Sequence, residues 1–151
     1  HCQIGNNVII KSGTVIGGVG FGYVKGENGE WKNFPHFGKV IIEDNVDIGS
    51  NTCIDRGSLS NTIIRKGAKV DNLVHVAHNV EIGENALVIA LAMLGGSTTI
   101  GENAWIAPAS SIRNRLTIGA NSTVGMGAVV TKNVEENTTV AGNPARPLEK
   151  K

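Results

Sequence analysis

From Ile64 onward a branched apolar residue recurs at every sixth position: Val70, Val76, Ile82, Val88, Leu94, Ile100, Ile106, Ile112, Ile118, Val124 and Val130. A second register, two residues earlier, reads Thr62, Ala68, Val74, Val80, Ala86, Ala92, Thr98, Ala104, Ser110, Leu116, Ser122 and Ala128, and is mostly small. Glycine often follows the apolar position, as at Gly83, Gly95, Gly101, Gly119 and Gly125. The same order opens the chain as Ile4-Gly5, Ile10 and Ile16-Gly17 and returns at Ile42, Ile48-Gly49 and Ile54. Six residues are too few for a helical hairpin and suit one short strand plus a corner. Three such strands close a triangular coil of 18 residues, with the branched residue inside and the small one where two faces meet. The expected fold is therefore all-β: a parallel β-helix whose coils stack about 4.8 Å apart. Glycine is expected to supply the corner dihedrals that a Cβ opposes.

Two breaks interrupt the period. Ile16 and Ile42 are 26 residues apart, and Ile54 and Ile64 are ten apart. Insertions into a solenoid leave as loops on one face, often the binding face. The first, near residues 18–38, carries Phe21, Tyr23, Trp31, Phe34 and Phe37, five of the six aromatic residues. They are expected either to form a contact surface or to cover a flank of the coil. The second, around Gly57-Ser58-Leu59-Ser60-Asn61, reads as a plain turn. The hexads are expected to fail after Val130, and Asn143-Pro144-Ala145-Arg146-Pro147 to end regular structure. The coil domain is thus expected over 1–142 and a tail over 143–151. An open first coil exposes strand edges, which proteins avoid, so a further N-terminal domain is expected in the natural protein.

Composition removes several classes. The 151 residues carry a formal net charge of +1 with 18% charged residues, which is no footprint for nucleic acid. No apolar run reaches 18 residues, so no transmembrane segment is expected. Cys2 and Cys53 have no metal-type spacing and read as reduced thiols.

Chemistry centres on two histidines in Asp71-Asn72-Leu73-Val74-His75-Val76-Ala77-His78-Asn79. With Val76 inward, strand alternation turns His75 and Ala77 outward and puts His78 at the next corner. An imidazole there suits a general base at neutral pH. One coil further on stands Gly96, whose backbone N–H is placed to receive an oxyanion. Base and donor together fit acyl transfer; two surface histidines and a further glycine corner fit the same spacing.

The residues also resemble the hexapeptide-repeat acyltransferases, and among them the UDP-3-O-acylglucosamine N-acyltransferases of lipid A synthesis. The resemblance rests on Ile10-Lys11-Ser12-Gly13-Thr14-Val15-Ile16-Gly17, on Gly20-Phe21-Gly22-Tyr23 with Trp31, and on Cys53-Ile54-Asp55-Arg56-Gly57. It rests most specifically on Asp71-Asn72-Leu73 followed by Ala77-His78-Asn79-Val80. It implies a left-handed β-helix, a cytoplasmic homotrimer with active sites between subunits, and a nucleotide-linked amino sugar as acceptor. It puts the catalytic base on His78 and the backbone donor on Gly96; Asp71, Asn79, His75 and Arg115 are the further candidates for orienting or substrate-binding residues. Arg115 stands where that family often has a second histidine.

The C-terminal stretches Gly125-Met126-Gly127-Ala128-Val129-Val130-Thr131-Lys132 and Ala141-Gly142-Asn143-Pro144-Ala145-Arg146-Pro147 resemble instead the acetyl-CoA-dependent sugar acetyltransferases. That likeness makes Gly125, Gly127, Lys132 and Arg146 donor-binding residues, with Lys150 and Lys151 adding charge. The acyl donor is then either acyl carrier protein with its phosphopantetheine thioester or CoA, and no bound cofactor is expected. Two other readings compete: a zinc protein like the γ-class carbonic anhydrases, and a non-catalytic structural β-helix. The zinc reading lacks its spacing, because two residues separate His75 from His78 and no third histidine lies in the continuous array; no metal ligands are assigned.

Overall fold

The computed structural model describes residues 2–148. Three parallel sheets wrap a single apolar prism. On the first face Gln3–Ile4, Val40–Ile42, Thr62–Ile64, Glu81–Ile82, Thr99–Ile100 and Thr117–Ile118 stack in that order. The third face stacks Val15–Gly18, Cys53–Asp55, His75–Val76, Met93–Leu94, Ser111–Ile112 and Val129–Val130. The second face runs from Ile9–Ile10 to Thr139–Ala141 and is closed by Arg146–Pro147. Ile64, Ile82, Ile100 and Ile118 are direct Cα partners on adjacent coils, so each coil takes 18 residues. No helix among the described residues is long and apolar enough to cross a membrane.

The two registers are the core. Every inward branched residue from Ile64 to Val130 is buried, and so is the small register at the vertices. Two polar members of that register are satisfied locally: Ser110 Oγ donates to Ala107 O at 2.8 Å and Ser122 Oγ to Gly119 O at 2.6 Å. Buried hydroxyls without such partners would destabilise the prism.

The corner glycines act differently from the expectation. Gly83, Gly95, Gly101 and Gly119 do not take positive φ. A Cβ on Gly83 would instead stand 2.7 Å from Glu102 N, and one on Gly119 2.7 Å from the Glu136 Cα, so these positions are kept bare by the adjacent coil's backbone. The left-handed residue comes two positions later, at Asn85, Asn103 and Asn121. Asparagine tolerates that region better than most side chains.

The coil also outlasts Val130. Val134 bridges to Ile118 and Val140 pairs with Val124, and both are buried. The step from Val130 to Val134 is four residues instead of six, which breaks the sequence period while the coil continues. Residues 143–147 do not simply end regular structure. They turn back so that Arg146–Pro147 runs antiparallel to Thr139–Ala141, with Leu148 N–H donating to Thr139 O at 2.7 Å. Proline's missing donor is thereby placed where the ladder does not need it.

Both insertions leave from the same edge. The first follows Val15–Gly18 and the second follows Cys53–Asp55, so each emerges at the corner between the third and first faces. The first holds an antiparallel hairpin of Tyr23–Lys25 and Trp31–Asn33. The second is more than a plain turn: Ser58 O accepts Phe37 N–H at 2.8 Å, so one insertion clasps the end of the other.

Candidate active site

His78 sits at that same corner, directly after the strand His75–Val76. Its Nδ1 is 2.9 Å from Asn79 Oδ1. That oxygen also receives Ser58 N–H at 3.1 Å and Ser58 Oγ–H at 2.8 Å. A backbone N–H can only donate, so the Asn79 atom is the carbonyl oxygen and His78 Nδ1 carries the proton. Nε2 is left as the basic nitrogen. Asn79 Nδ2 donates to Ser60 Oγ, and Asn79 N–H to Thr62 Oγ1 at 2.9 Å. The base is thus fixed by an asparagine in the left-handed region (φ 61°), itself held by the second insertion.

Gly96 lies one coil along. A Cβ there would be 2.7 Å from both Nε2 and Cε1 of His78, so glycine is required for the ring to sit where it does. Gly96 N–H donates to no acceptor among the described residues. Gly96 O accepts Arg115 N–H at 2.9 Å, which fixes the plane of the next peptide. Phe21, Asp55, His75, Ala77, Ser97, Asn114 and the exposed Arg115 complete a cleft of about 340 Å³.

His75 points outward, as alternation requires, with Nε2 3.9 Å from Asp55 Oδ2. Asp71 is not brought to the cleft. It lies at the preceding corner, where its carboxylate accepts Asn72 N–H at 2.7 Å and Ala90 N–H at 3.3 Å beside Lys11 and Lys69. The expected donor residues divide. Lys132 and Arg146 line one groove of about 420 Å³. Gly125 and Gly127 lie at the other corner, Gly127 with φ 63° and its N–H on Pro108 O at 2.9 Å. Lys150 and Lys151 lie outside the described residues.

Two residues of the site were not found by sequence reasoning. His36 comes from the first insertion, is 8% exposed, and packs edge-on against His78 with ring centroids 5.4 Å apart. Asp55 faces the same place; burial pushes its carboxyl above the ordinary range, while His75, His78 and His36 oppose the shift. The usable signal was the phase of the insertions, since both follow third-face strands as His78 does. The aromatic residues open a second, apolar groove of about 610 Å³ lined by Phe21, Tyr23 and Trp31, with Phe21 shared between it and the cleft.

Stacked six-residue repeats, each carrying one short strand, with a tethered imidazole at one corner define a coil of the hexapeptide-repeat kind. The family pattern described as bacterial transferase hexapeptide (six repeats) matches residues 97–132. It is 57% identical over 145 residues to UDP-3-O-acylglucosamine N-acyltransferase 2 of Legionella pneumophila, covering 96% of this chain and 42% of that protein. The fold matches the crystal structure of a UDP-N-acetylglucosamine acyltransferase from Bacteroides fragilis, with a TM-score of 0.84 at 24% identity over 97% of this chain and 55% of that one. It matches more loosely a perosamine N-acetyltransferase from Caulobacter crescentus solved with CoA and GDP-perosamine (TM-score 0.50, 21% identity, 98% and 58% coverage). The coil is the left-handed β-helix of this group. The chain spans less than half the length of the curated relatives it matches.

Proposed function

We propose that this chain is the catalytic coil of an N-acyltransferase that moves an acyl group from a thioester to the amino group of a nucleotide-linked sugar. One observation carries the reading: His78 is tethered through Nδ1 with Nε2 free, and the Gly96 N–H, one coil away, is unused. A thioester carbonyl set between them has a base on one side and an oxyanion donor on the other. The amine attacks the carbonyl carbon, His78 Nε2 takes its proton, and the oxyanion is stabilised by Gly96 N–H. His78 then gives the proton to the departing thiolate. Asn79 holds the imidazole in the required tautomer and favours no other.

The relatives' name supplies the acceptor class, a UDP-linked acylated glucosamine. A further N-terminal domain that holds the nucleotide, and a homotrimer in which a neighbour walls the open side of the cleft, belong to the same reading. The donor is acyl carrier protein or CoA. Lys132 supports either: it lies in the His78 corner column three coils on, about 14 Å along the axis, a span suited to a pantetheine arm. The purified protein is offered a UDP-linked amino sugar with acyl carrier protein thioester in one reaction and acyl-CoA in another, and thiol release is measured. N-acylated sugar is expected from at least one of them; product from neither overturns the reading, and sedimentation as a stable monomer at micromolar concentration overturns the trimer. Acetyl transfer from CoA alone would make the enzyme a sugar acetyltransferase.

A further inference from the structure

Two acceptors beside His78 have no donor, although the same cleft holds the unused Gly96 N–H. Asp55 stands at the end of the strand Cys53–Asp55 with its side chain only 15% exposed. Among the described residues its carboxylate receives no hydrogen bond, and the nearest basic atom is His75 Nε2 at 3.9 Å. A carboxylate so far withdrawn from water needs a cation or several N–H donors. A second unpaired acceptor stands beside it. His36 Nδ1 lies 2.9 Å from Phe34 O, a carbonyl that only accepts, so Nδ1 bears the proton and the buried Nε2 lone pair has no partner. Both atoms converge on Gly20: a Cβ there would be 2.9 Å from His36 Nε2, 3.4 Å from Asp55 Oδ2 and 3.2 Å from His78 Cβ. The loop can close over the cluster only because residue 20 has no side chain.

We propose that Asp55 is a catalytic residue that receives the acceptor's amine in its ammonium form, and that His36, packed between Gly20 and the His78 ring, is a positioning residue. This rests on the N-acyl transfer argued above. An ammonium offers three donors and no lone pair, so it matches a carboxylate that has no donor but cannot attack. Two protons must leave it on the way to an amide. The first passes to the Asp55 carboxylate, and the N–H bonding electrons become the nucleophilic lone pair. The C–N bond then forms as the carbonyl π electrons move to oxygen, and His78 Nε2 takes the second proton. Carbonyl re-formation breaks the C–S bond, and the thiolate takes the proton from His78. Ammonium and thioester become amide, thiol and one proton, which Asp55 returns to water. The carboxyl, pushed upward by burial, is a better proton acceptor than an exposed one. The titratable and charged groups facing it are His36 from the loop, His75 and His78 from the third face, and Arg115 on the cleft wall.

The test is calorimetry with a 3-O-acylated UDP-glucosamine and its N-acetylated counterpart, run beside steady-state turnover. The native protein is expected to bind the free amine at least tenfold more tightly than the acetamide, and Asp55→Asn to erase that preference while leaving acetamide binding unchanged. In turnover Asp55→Asn should raise the acceptor KM tenfold or more at pH 6.5 and much less at pH 8.5, with the donor KM unchanged. His36→Gln, which keeps a hydrogen-bonding group at that place, should retain the binding preference, and His36→Ala should weaken it; a preference unchanged in both variants removes His36 from the scheme. Turnover without any preference for the amine overturns the ammonium site and spares the N-acyl reading. Preference without turnover does the reverse, and an equal loss at both pH values for Asp55→Asn also overturns the site.

Discussion

Asn79 Oδ1 accepts a hydrogen bond from His78 Nδ1 at 2.9 Å and, at the same time, from Ser58 N–H and Oγ–H. One side-chain amide therefore joins the base to the four-residue insertion. Asn79→Ala should lower kcat about 10- to 100-fold, because the imidazole loses both its tautomer and its tether, and the left-handed backbone adds roughly 1–2 kcal/mol of strain. Asn79→Asp keeps an acceptor and should retain most activity. Its carboxylate favours the imidazolium, so the base titrates higher and the acid limb of the kcat profile should move to higher pH. Paired pH–rate profiles check this; a limb that stays in place would mean that Asn79 does not touch the titrating base.

His78→Ala should remove about 10²–10⁴-fold of turnover, the usual range for a general base, without changing the melting temperature. The ring lies outside the prism, and its loss opens no core cavity. His75→Ala should lose far less, since His75 makes only the 3.9 Å approach to Asp55. Turnover at saturating donor, set beside thermal melts, decides between them. Equal small losses in both variants would leave neither histidine as the base.

Much of this was legible in the residues. The six-residue period placed the core register, the outward turn of His75 and the corner seat of His78, because in a solenoid position follows from counting. Counting fails where the count changes. The four-residue step from Val130 to Val134 hid the last buried positions. The insertions hid His36 and Asn79's partners, Ser58 and Ser60. Their distance along the chain says nothing of where a loop folds back. Asp71 shows the same limit: it is near His78 in sequence but one corner away in the coil of this chain. The glycines misled because a bare position can serve positive φ or a close neighbour, and only coordinates tell Gly83 from Gly127.

That distinction separates two alanine substitutions. At Gly83 the new Cβ meets Glu102 N at 2.7 Å, and backbone within a stacked coil cannot move aside. Gly83→Ala should destabilise by about 1–3 kcal/mol, the usual range for overpacking, and leave the activity of the folded fraction unchanged. At Gly96 the three atoms nearest the Cβ all belong to the His78 ring, which can swing. Gly96→Ala should melt near the native temperature while losing on the order of 10²-fold in kcat, as a displacement of about 1 Å does at a reacting centre. A loss of stability at Gly96 comparable to that at Gly83 would contradict this division.

Asp55 supplies a pH dependence of stability. Its folded carboxyl titrates above its unfolded value, so the folded chain binds the extra proton. Stability from this group is then full below the unfolded value and is lost as pH rises through the raised folded one. At neutral pH the ionised group opposes folding, and Asp55→Asn should raise the melting temperature there. The gain should vanish as the pH falls into the ordinary carboxylate range. A variant that melts lower than the native protein at pH 7 would show the carboxylate to be a structural partner.

Lys132 and Arg146 come from different parts of the chain yet line one groove. Lys132 follows the third-face strand Val129–Val130, while Arg146 lies in the returning strand that pairs with Thr139–Ala141. Lys132 continues the corner column of His78, Gly96 and Asn114, so a thioester at His78 and a phosphate at Lys132 would lie along one edge of the prism. Two cations there can make charge-assisted contacts to phosphate, each stronger than a neutral hydrogen bond. Both side chains are exposed, so their removal should not disturb the core. The double variant Lys132→Ala, Arg146→Ala should raise the donor KM about tenfold or more, with kcat and the acceptor KM little changed, and the increase should shrink at high salt as the native contacts are screened. An unchanged donor KM at low ionic strength would show that the groove holds no phosphate, and would move the donor's path to the corner of Gly125 and Gly127.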